Sequence, residues 1–239
     1  MALVHYSLEE HVALMTLNNG ENRFNPDFLE AFLHSLDEIE AQTEATTLVV
    51  TSADEKIWCN GIDLAWLGPV LMQNDVATAK RFFYQLNGLF KRLVNYPLVT
   101  IAAINGHAFA GGAILTGAFD FRFMRSDRGY FCLPEVDLGI PFLPGMNALL
   151  RKAIAQQDLY ELELTGARLT AGQCADRGIV HQACHVDELM GAVMAFAKSI
   201  NKKRTVVAEL KARLNRGILQ AIEVEDVPYI ESGQFNISV

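Results

Sequence analysis

Hydrophobic positions along this chain follow two spacings, and the switches between them mark its elements. Val4–Tyr6 and Val12–Leu17 are short β-prone runs, and the polar SLEEH between them predicts a hairpin turn. Asn25-Pro26-Asp27 then opens a helix, with Asn25 as N-cap and Pro26 at the first helical position. Phe28, Leu29, Phe32, Leu33, Leu36 and Ile39 follow at spacings of three and four, which gives one apolar face. The run TLVVT (Thr47–Thr51) is apolar without alternation, so a strand covered on both faces is expected. Asp75–Asn95 predicts a long helix that buries Phe82, Phe83, Leu86, Leu89, Phe90 and Leu93. Leu98–Ile104 and Phe121–Met124 are further strands, Gly111–Ala118 is a short helix, and Tyr130–Leu133 extends the sheet edge. Helices are expected over Gly145–Ala155 and Leu159–Leu164, then a short one capped by Thr170 and ending near Gly178. GIVHQA is a last strand, followed by helices over Val186–Ile200 and Thr205–Leu219. Strand and helix interleave up to about residue 182, and helix dominates after it. The expectation is an α/β core over 1–182 and a helical region over 183–239 that is too short to fold on its own.

Composition narrows the class. Half of the 239 residues (51%) are hydrophobic and 20% are charged, which excludes a disordered chain. The net charge of −8 opposes general binding to nucleic acid or anionic membrane, yet leaves room for one local basic pocket. Cys59, Cys132, Cys174 and Cys184 form no C-x-x-C pair and no zinc spacing, so a reducing compartment is the default. MALVHYSLEE lacks a secretory signal pattern and FNISV lacks a peroxisomal tripeptide, which points to the cytoplasm. The apolar stretch PLVTIAAINGHAFAGGAILTGAFDF is long enough to span a membrane, but Asn105-Gly106-His107 and Gly111-Gly112 interrupt it. It is read as a buried strand, turn and helix.

Three segments could carry chemistry. GHAFAGG (Gly106–Gly112) lacks the Lys and Ser/Thr of a phosphate loop and the G-x-G of a dinucleotide fingerprint. What remains is a strand whose Gly-rich turn starts a helix, with free N–H groups at that end. Such a turn either holds an anion or oxyanion or packs a strand tightly on a helix. IWCNGIDLAWL (Ile57–Leu67) places Gly61 in a loop, with Asp63 able to cap a helix starting at Leu64. By itself it could equally be a loop anchored by its apolar residues. In LPEVDLGIP (Leu133–Pro141), Glu135 is flanked by apolar residues, so it is either a carboxylate of raised pKa or an edge-strand glutamate in water.

Together, in this order and spacing, the three segments resemble the crotonase (enoyl-CoA hydratase/isomerase) superfamily. WCNGIDL is similar to its first oxyanion segment, NGHAFAGGAIL to its second and LPEVDLGIP to its catalytic-acid segment. LTGARLTAGQCADRGIVHQA is similar to the segment that follows, and the resemblance spans about residues 8–200. It implies a right-handed spiral of ββα repeats with a C-terminal helical region that joins subunits into a homotrimer or a dimer of trimers. It implies an acyl-CoA thioester substrate, with no cofactor beyond the coenzyme A that the substrate carries. The N–H groups of Ile62 and Gly111 would hold the thioester oxygen, and Glu135 matches the family's second catalytic glutamate. The substrate site implied contains Arg23, Asn25, Lys56, Asn60, Gly61, Ile62, Asp63, Leu64, Gly111 and Leu143.

Departures from the family pattern select a subgroup. Hydratases carry a first glutamate where this chain has Ile114, and a Gly-rich run where it has PFLPGMNALL. Isoleucine cannot hold or deprotonate water. Dienoyl-CoA isomerases have acidic residues at the places of Ile114 and Leu143. The single-glutamate pattern is most similar to Δ3,Δ2-enoyl-CoA isomerases, in which one base moves a proton from C2 to C4. A hydratase or an acyl-CoA hydrolase is the enzymatic rival, and a non-catalytic acyl-CoA- or RNA-binding homologue is the rival of another class. Glu135 argues against the last, and the net charge argues against RNA.

Several further residues are weighed on the same terms. Trp66, Leu67, Phe83, Phe109, Phe142 and Leu143 are candidate walls for the acyl chain, and Cys59 is more suited to packing than to nucleophilic attack. Asp137 should share a face with Glu135 on an extended strand. Lys202, Lys203 and Arg204 are the densest basic cluster, open to a neighbour's coenzyme A or to solvent. His181 and His185 straddle a strand–helix junction, and no metal site is expected from them.

Overall fold

The computed structural model describes residues 2–235. In chain order the elements are β1 (Val4–Glu9), β2 (Val12–Leu17), α1 (Pro26–Gln42), β3 (Thr47–Ser52), β4 (Ile57–Cys59), α2 (Leu64–Met72), α3 (Val76–Val94), β5 (Val99–Ile104), β6 (His107–Phe109) and α4 (Gly111–Ala118). There follow β7 (Phe121–Arg125), β8 (Phe131–Cys132), α5 (Glu135–Leu138), α6 (Pro144–Ala153), α7 (Gln156–Thr165), β9 (Arg168–Leu169), α8 (Ala171–Asp176), β10 (Gln182–Cys184) and α9 (Val186–Ser199). The chain ends in α10 (Arg204–Leu214), α11 (Arg216–Gln220), a π turn (Ala221–Glu225) and α12 (Asp226–Ser232).

The strands form two sheets. One has the order β1-β2-β3-β5-β7-β10, and the other β4-β6-β8-β9. Apart from the β1–β2 hairpin the large sheet is parallel. Each of β3, β5 and β7 is followed by a short strand in the small sheet and then by helix. This ββα unit, used three times, is the repeat of the spiral. The continuous apolar strands are buried on both faces, as TLVVT suggested. Leu48 and Val50 enter the main core, while Val49 enters a second cluster with Ile101, Phe123 and the α9 residues Leu189, Val193 and Ala197. Alternate residues of a strand serve opposite faces, so α9 roofs one side of the sheet and the helices of the repeats cover the other.

Local signals place the helices that carry the site. Asn25 accepts from Phe28 N–H at 3.0 Å and caps α1. Its apolar face is buried except for Leu33, which is half-buried. Arg204 closes the other end of α1, donating to the carbonyls of Glu40, Thr43 and Ala45 at 2.6–2.8 Å. Its guanidinium is therefore a helix cap and not a free anion ligand. Lys152 does the same for α4, reaching the carbonyls of Gly117 (3.2 Å) and Phe119 (2.6 Å). Beside it Asp120 pairs with buried Lys211 at 2.6 Å. Lys152 and Arg122 thus satisfy the carbonyl end of α4, and its N–H end is left free at Gly111.

Five sequence expectations need correction. The strand expected over GIVHQA covers only Gln182–Cys184. Tyr130–Leu133 does not extend the main sheet; its two-residue strand lies in the small sheet beside β6. The helix expected over Thr205–Leu219 breaks at Asn215, whose Nδ2 turns inward to Val94 O at 2.8 Å. The hairpin strand β1 continues to Glu9, so the turn is tighter than SLEEH. Glu135 and Asp137 lie on one helical turn, not on a strand, and so do not share a face. Among the described residues, no helix is long and apolar enough to cross a membrane.

Candidate active site

The small sheet assembles the site. β4, β6 and β8 are parallel neighbours, so their carboxyl ends open on one edge. Crevices at the carboxyl ends of parallel strands are where ligands bind in such sheets. Ile62 follows the end of β4, Gly111 the end of β6 and Glu135 the end of β8. All three line one cavity of about 590 Å³, together with Arg23, Asn60, Leu64 and Leu143. Of the expected acyl walls, Leu67, Phe83, Phe109, Phe142 and Leu143 line it, while Trp66 turns away to pack on Phe82 at 5.1 Å.

The first loop is held from both sides. Phe24 N–H donates to Gly61 O at 2.7 Å, and Asp63 N–H donates to Phe24 O at 2.9 Å. Asp63 caps α2 by accepting from Ala65 and Trp66 N–H groups, and Asn25 Nδ2 donates to it at 3.2 Å. Asn25, Gly61 and Asp63 are therefore scaffold beside the cavity and not its lining. Gly61 has φ +70, and a Cβ there would overlap the backbone nitrogen of Gly111. Only glycine satisfies both demands. Gly112 is pressed as closely on the Cys59 carbonyl, which fixes the start of α4 on β4.

Between the loops sits Ala110, with φ 54 and ψ −130, a conformation that costs a non-glycine residue about 1–3 kcal/mol. The turn it makes leads straight into α4. The N–H groups of Ile62 and Gly111 donate to no acceptor among the described residues. Two unused donors on touching loops are what an oxyanion site requires.

Glu135 lines the same largely apolar cavity as this pair. It is 7% exposed, and its Oε2 has no hydrogen-bond partner among the described residues. Burial raises its pKa to about 8, and the charge of Glu163 adds to the rise. Glu163, on α7, was not singled out in the sequence. Its own pKa is raised by burial and opposed by Arg151, and its Oε1 is likewise unpartnered. The signal for it was weak: a glutamate on the otherwise apolar side of ELELTG, three residues after the tyrosine of that helix. Ile114, 2% exposed, lies in the wall where a second carboxylate would stand. Glu135 is the one carboxylate among the described lining residues.

The polar rim differs from what charge alone suggested. Arg23 lines the cavity, but its guanidinium is paired with Glu21 at 2.6 Å. Asn60 donates to the same carboxylate at 3.2 Å. Lys56 does not line the cavity; its carbonyl accepts from His107 N–H at 2.7 Å. Cys59 is buried, donates to Asn22 O at 3.0 Å and has its pKa pushed up to about 12, so it packs and does not react. His181 sits among Phe121, Phe123 and Phe196, and His185 caps α9.

A family model described as Enoyl-CoA hydratase/isomerase matches residues 7–230. The chain belongs to the enoyl-CoA hydratase/isomerase family. It is similar to the peroxisomal enoyl-CoA delta isomerase 2 of Arabidopsis thaliana, at 35% identity over 77% of this chain and 78% of that protein. It is also similar to the short-chain-enoyl-CoA hydratase of Clostridium acetobutylicum, at 28% identity over 88% of this chain and 80% of that protein. An enoyl-CoA hydratase/isomerase family protein from Pseudomonas syringae has the same fold, with a TM-score of 0.85 at 27% identity. That match covers 96% of this chain and 97% of the other.

Proposed function

We propose that the protein is an enoyl-CoA isomerase that converts a 3-enoyl-CoA into the trans-2-enoyl-CoA during fatty acid degradation. The observation that carries this is the single carboxylate of the cavity, with Ile114 where a second would have to hold water. The thioester oxygen sits between the N–H groups of Ile62 and Gly111, where the negative charge of a dienolate develops. Stabilising that charge lowers the demand on the base. Glu135, ionised, removes a proton from C2. Now a carboxylic acid, it returns a proton to C4 as the double bond moves to C2–C3. Its raised pKa suits both halves of this exchange, since base and acid forms lie close in energy near neutral pH. Coenzyme A arrives with the substrate, and no further cofactor enters these steps. Arg23 and Asn60 at the rim are the groups offered to the polar part of the thioester.

The same proposal takes the protein to be a homotrimer or a dimer of trimers. An exposed apolar row on α10, Val206, Leu210 and Leu214, supports association through the C-terminal helices. Four free cysteines, all buried, suit a reducing compartment such as the cytoplasm. A panel of 3-enoyl-CoA, 2-enoyl-CoA and saturated acyl-CoA tests the function. Turnover is expected with the first. Faster hydration of the second, or hydrolysis of the third, would replace the isomerase with its rivals.

A further inference from the structure

One wall of the cavity runs along α2. Leu64, Leu67, Gly68 and Leu71 line one wall from a single face of that helix. Leu64 lies next to the oxyanion loop, and Leu71 is seven residues further, about 10 Å along the axis at 1.5 Å per residue. The end of the described chain also enters this lining. α12 stops at Gly233, which packs on Val76 at the start of α3, and Gln234 and Phe235 then turn into the cavity lining. The Phe235 ring stacks on Phe83 with centroids 4.5 Å apart and planes 13° from parallel, and only 9% of the residue is exposed.

This end wall is fastened to the helices that supply the other far walls. Glu231 of α12 binds Lys80 (2.8 Å) and Tyr84 (2.7 Å) of α3. Asp226, wholly buried, accepts from Asn87 of α3 at 2.8 Å and from the Gly145 N–H of α6 at 2.7 Å. The π turn just before it adds a residue to the helical repeat and carries Asp226 to the inner face. A carboxylate buried against two helices is held by what it binds, and removing those partners would leave it unsatisfied. The arm is thus a built wall.

We propose that Phe235 is the stop that sets the length of acyl chain this protein accepts. The inference rests on the acyl-CoA function above and names its substrate class: unbranched chains whose terminal methyl reaches the Phe83–Phe235 stack and no further. Methylene groups short of the ring gain burial in an apolar cavity. Those beyond it must displace a packed aromatic. One methylene that fits or fails to fit such a pocket is worth about 10–200-fold in specificity.

The test is a homologous series of straight-chain 3-enoyl-CoA esters, with kcat/KM measured for the parent, Phe235→Ala and Phe235→Trp. Binding of the matching saturated acyl-CoA series is measured by calorimetry, so the cutoff is read even if no turnover is found. The parent shows a sharp fall at one chain length. Phe235→Ala raises the ratio of the first rejected length to the last accepted one by about 10-fold or more, and Phe235→Trp moves the fall to a shorter chain. A cutoff that stays at the parent's length in both variants, in binding as in turnover, overturns the proposal. Absence of isomerisation in the parent with a cutoff that shifts in binding would sink the reaction and leave the stop standing.

Discussion

Glu163 stands behind Glu135. Their helices α7 and α5 pack together, each carboxylate keeps one buried oxygen without a partner among the described residues, and the charge of one opposes ionisation of the other. Other charges nearby are Asp137 on α5 itself, Arg168 on β9 and Arg151 on α6, the last acting on Glu163. In the proposed reaction the pair sets the pH range of the base. Glu135 must be ionised to accept a proton, so kcat/KM should rise with pH, close to tenfold per unit at the acid side, and level off above about 8. Glu163→Gln removes one cause of the raised pKa and should move this limb to lower pH. A pH–rate profile of the two proteins checks it, and identical limbs would remove Glu163 from the argument.

The same burial should cost stability. The pKa of Glu135 is about 8 in the folded chain against 4.5 for the free group, so the native state holds that proton more tightly. The resulting stabilisation is complete below pH 4.5 and is lost as pH rises through 8. Glu135→Gln is therefore expected to melt higher than the parent at pH 9, with a smaller difference at pH 5. Thermal melts at the two pH values decide this; a variant that melts lower at pH 9 would mean the carboxylate is not desolvated as described.

Gly61 offers a sharper geometric test. With φ +70 and no room for a Cβ beside Gly111, Gly61→Ala must push the two donor loops apart. Loss of one oxyanion donor costs about 10²–10³ in kcat, and that fall is expected. Gly88→Ala is the control: it lies inside α3 with open space around the site of a Cβ. There the change should raise stability by about 0.5–1 kcal/mol. If Gly61→Ala retained full activity, the oxyanion site would have to be elsewhere.

Arg23 and Lys56 have equal charge but different places. Arg23 lines the cavity and Lys56 does not, although both were expected in the substrate site. Arg23→Glu should raise KM for CoA esters and leave kcat nearly unchanged, since a remote contact binds ground and transition states alike. Lys56→Glu should change KM less. Glu21→Gln, which releases the Arg23 guanidinium, should lower KM. Steady-state kinetics of the three variants rank them, and an unchanged KM for Arg23→Glu would exclude it from the site.

Where the sequence was informative, the information was local. Asn25-Pro26 starts α1, Thr170 starts α8 with a reciprocal bond to Gln173, and the Gly-rich turn starts α4 at Gly111. Each depends on a side chain and a backbone a few residues apart. The small sheet was not legible, because strands of two or three residues such as β8 and β9 carry no periodicity and exist only through pairing partners far along the chain. The one-turn helix at Glu135 was missed for the same reason, and with it the separation from Asp137. Ile62, Gly111 and Glu135 could be named from their motifs, but that one edge of one sheet gathers them is a fact of topology. Glu163 was barely legible and the C-terminal arm not at all, because their importance lies in what α7 and α12 pack against.

Everything in the proposed reaction rests on one carboxylate, Glu135, moving the proton. The direct measurement is the turnover of 3-enoyl-CoA to 2-enoyl-CoA by the parent and by Glu135→Gln, beside the parent's hydration of 2-enoyl-CoA. Glu135→Gln is expected to stay folded and to bind saturated acyl-CoA but to lose about 10²–10⁴ in kcat, the usual size of a general-base contribution. The parent is expected to isomerise faster than it hydrates. Isomerisation by Glu135→Gln at the parent's rate, or hydration outrunning isomerisation in the parent, would contradict it.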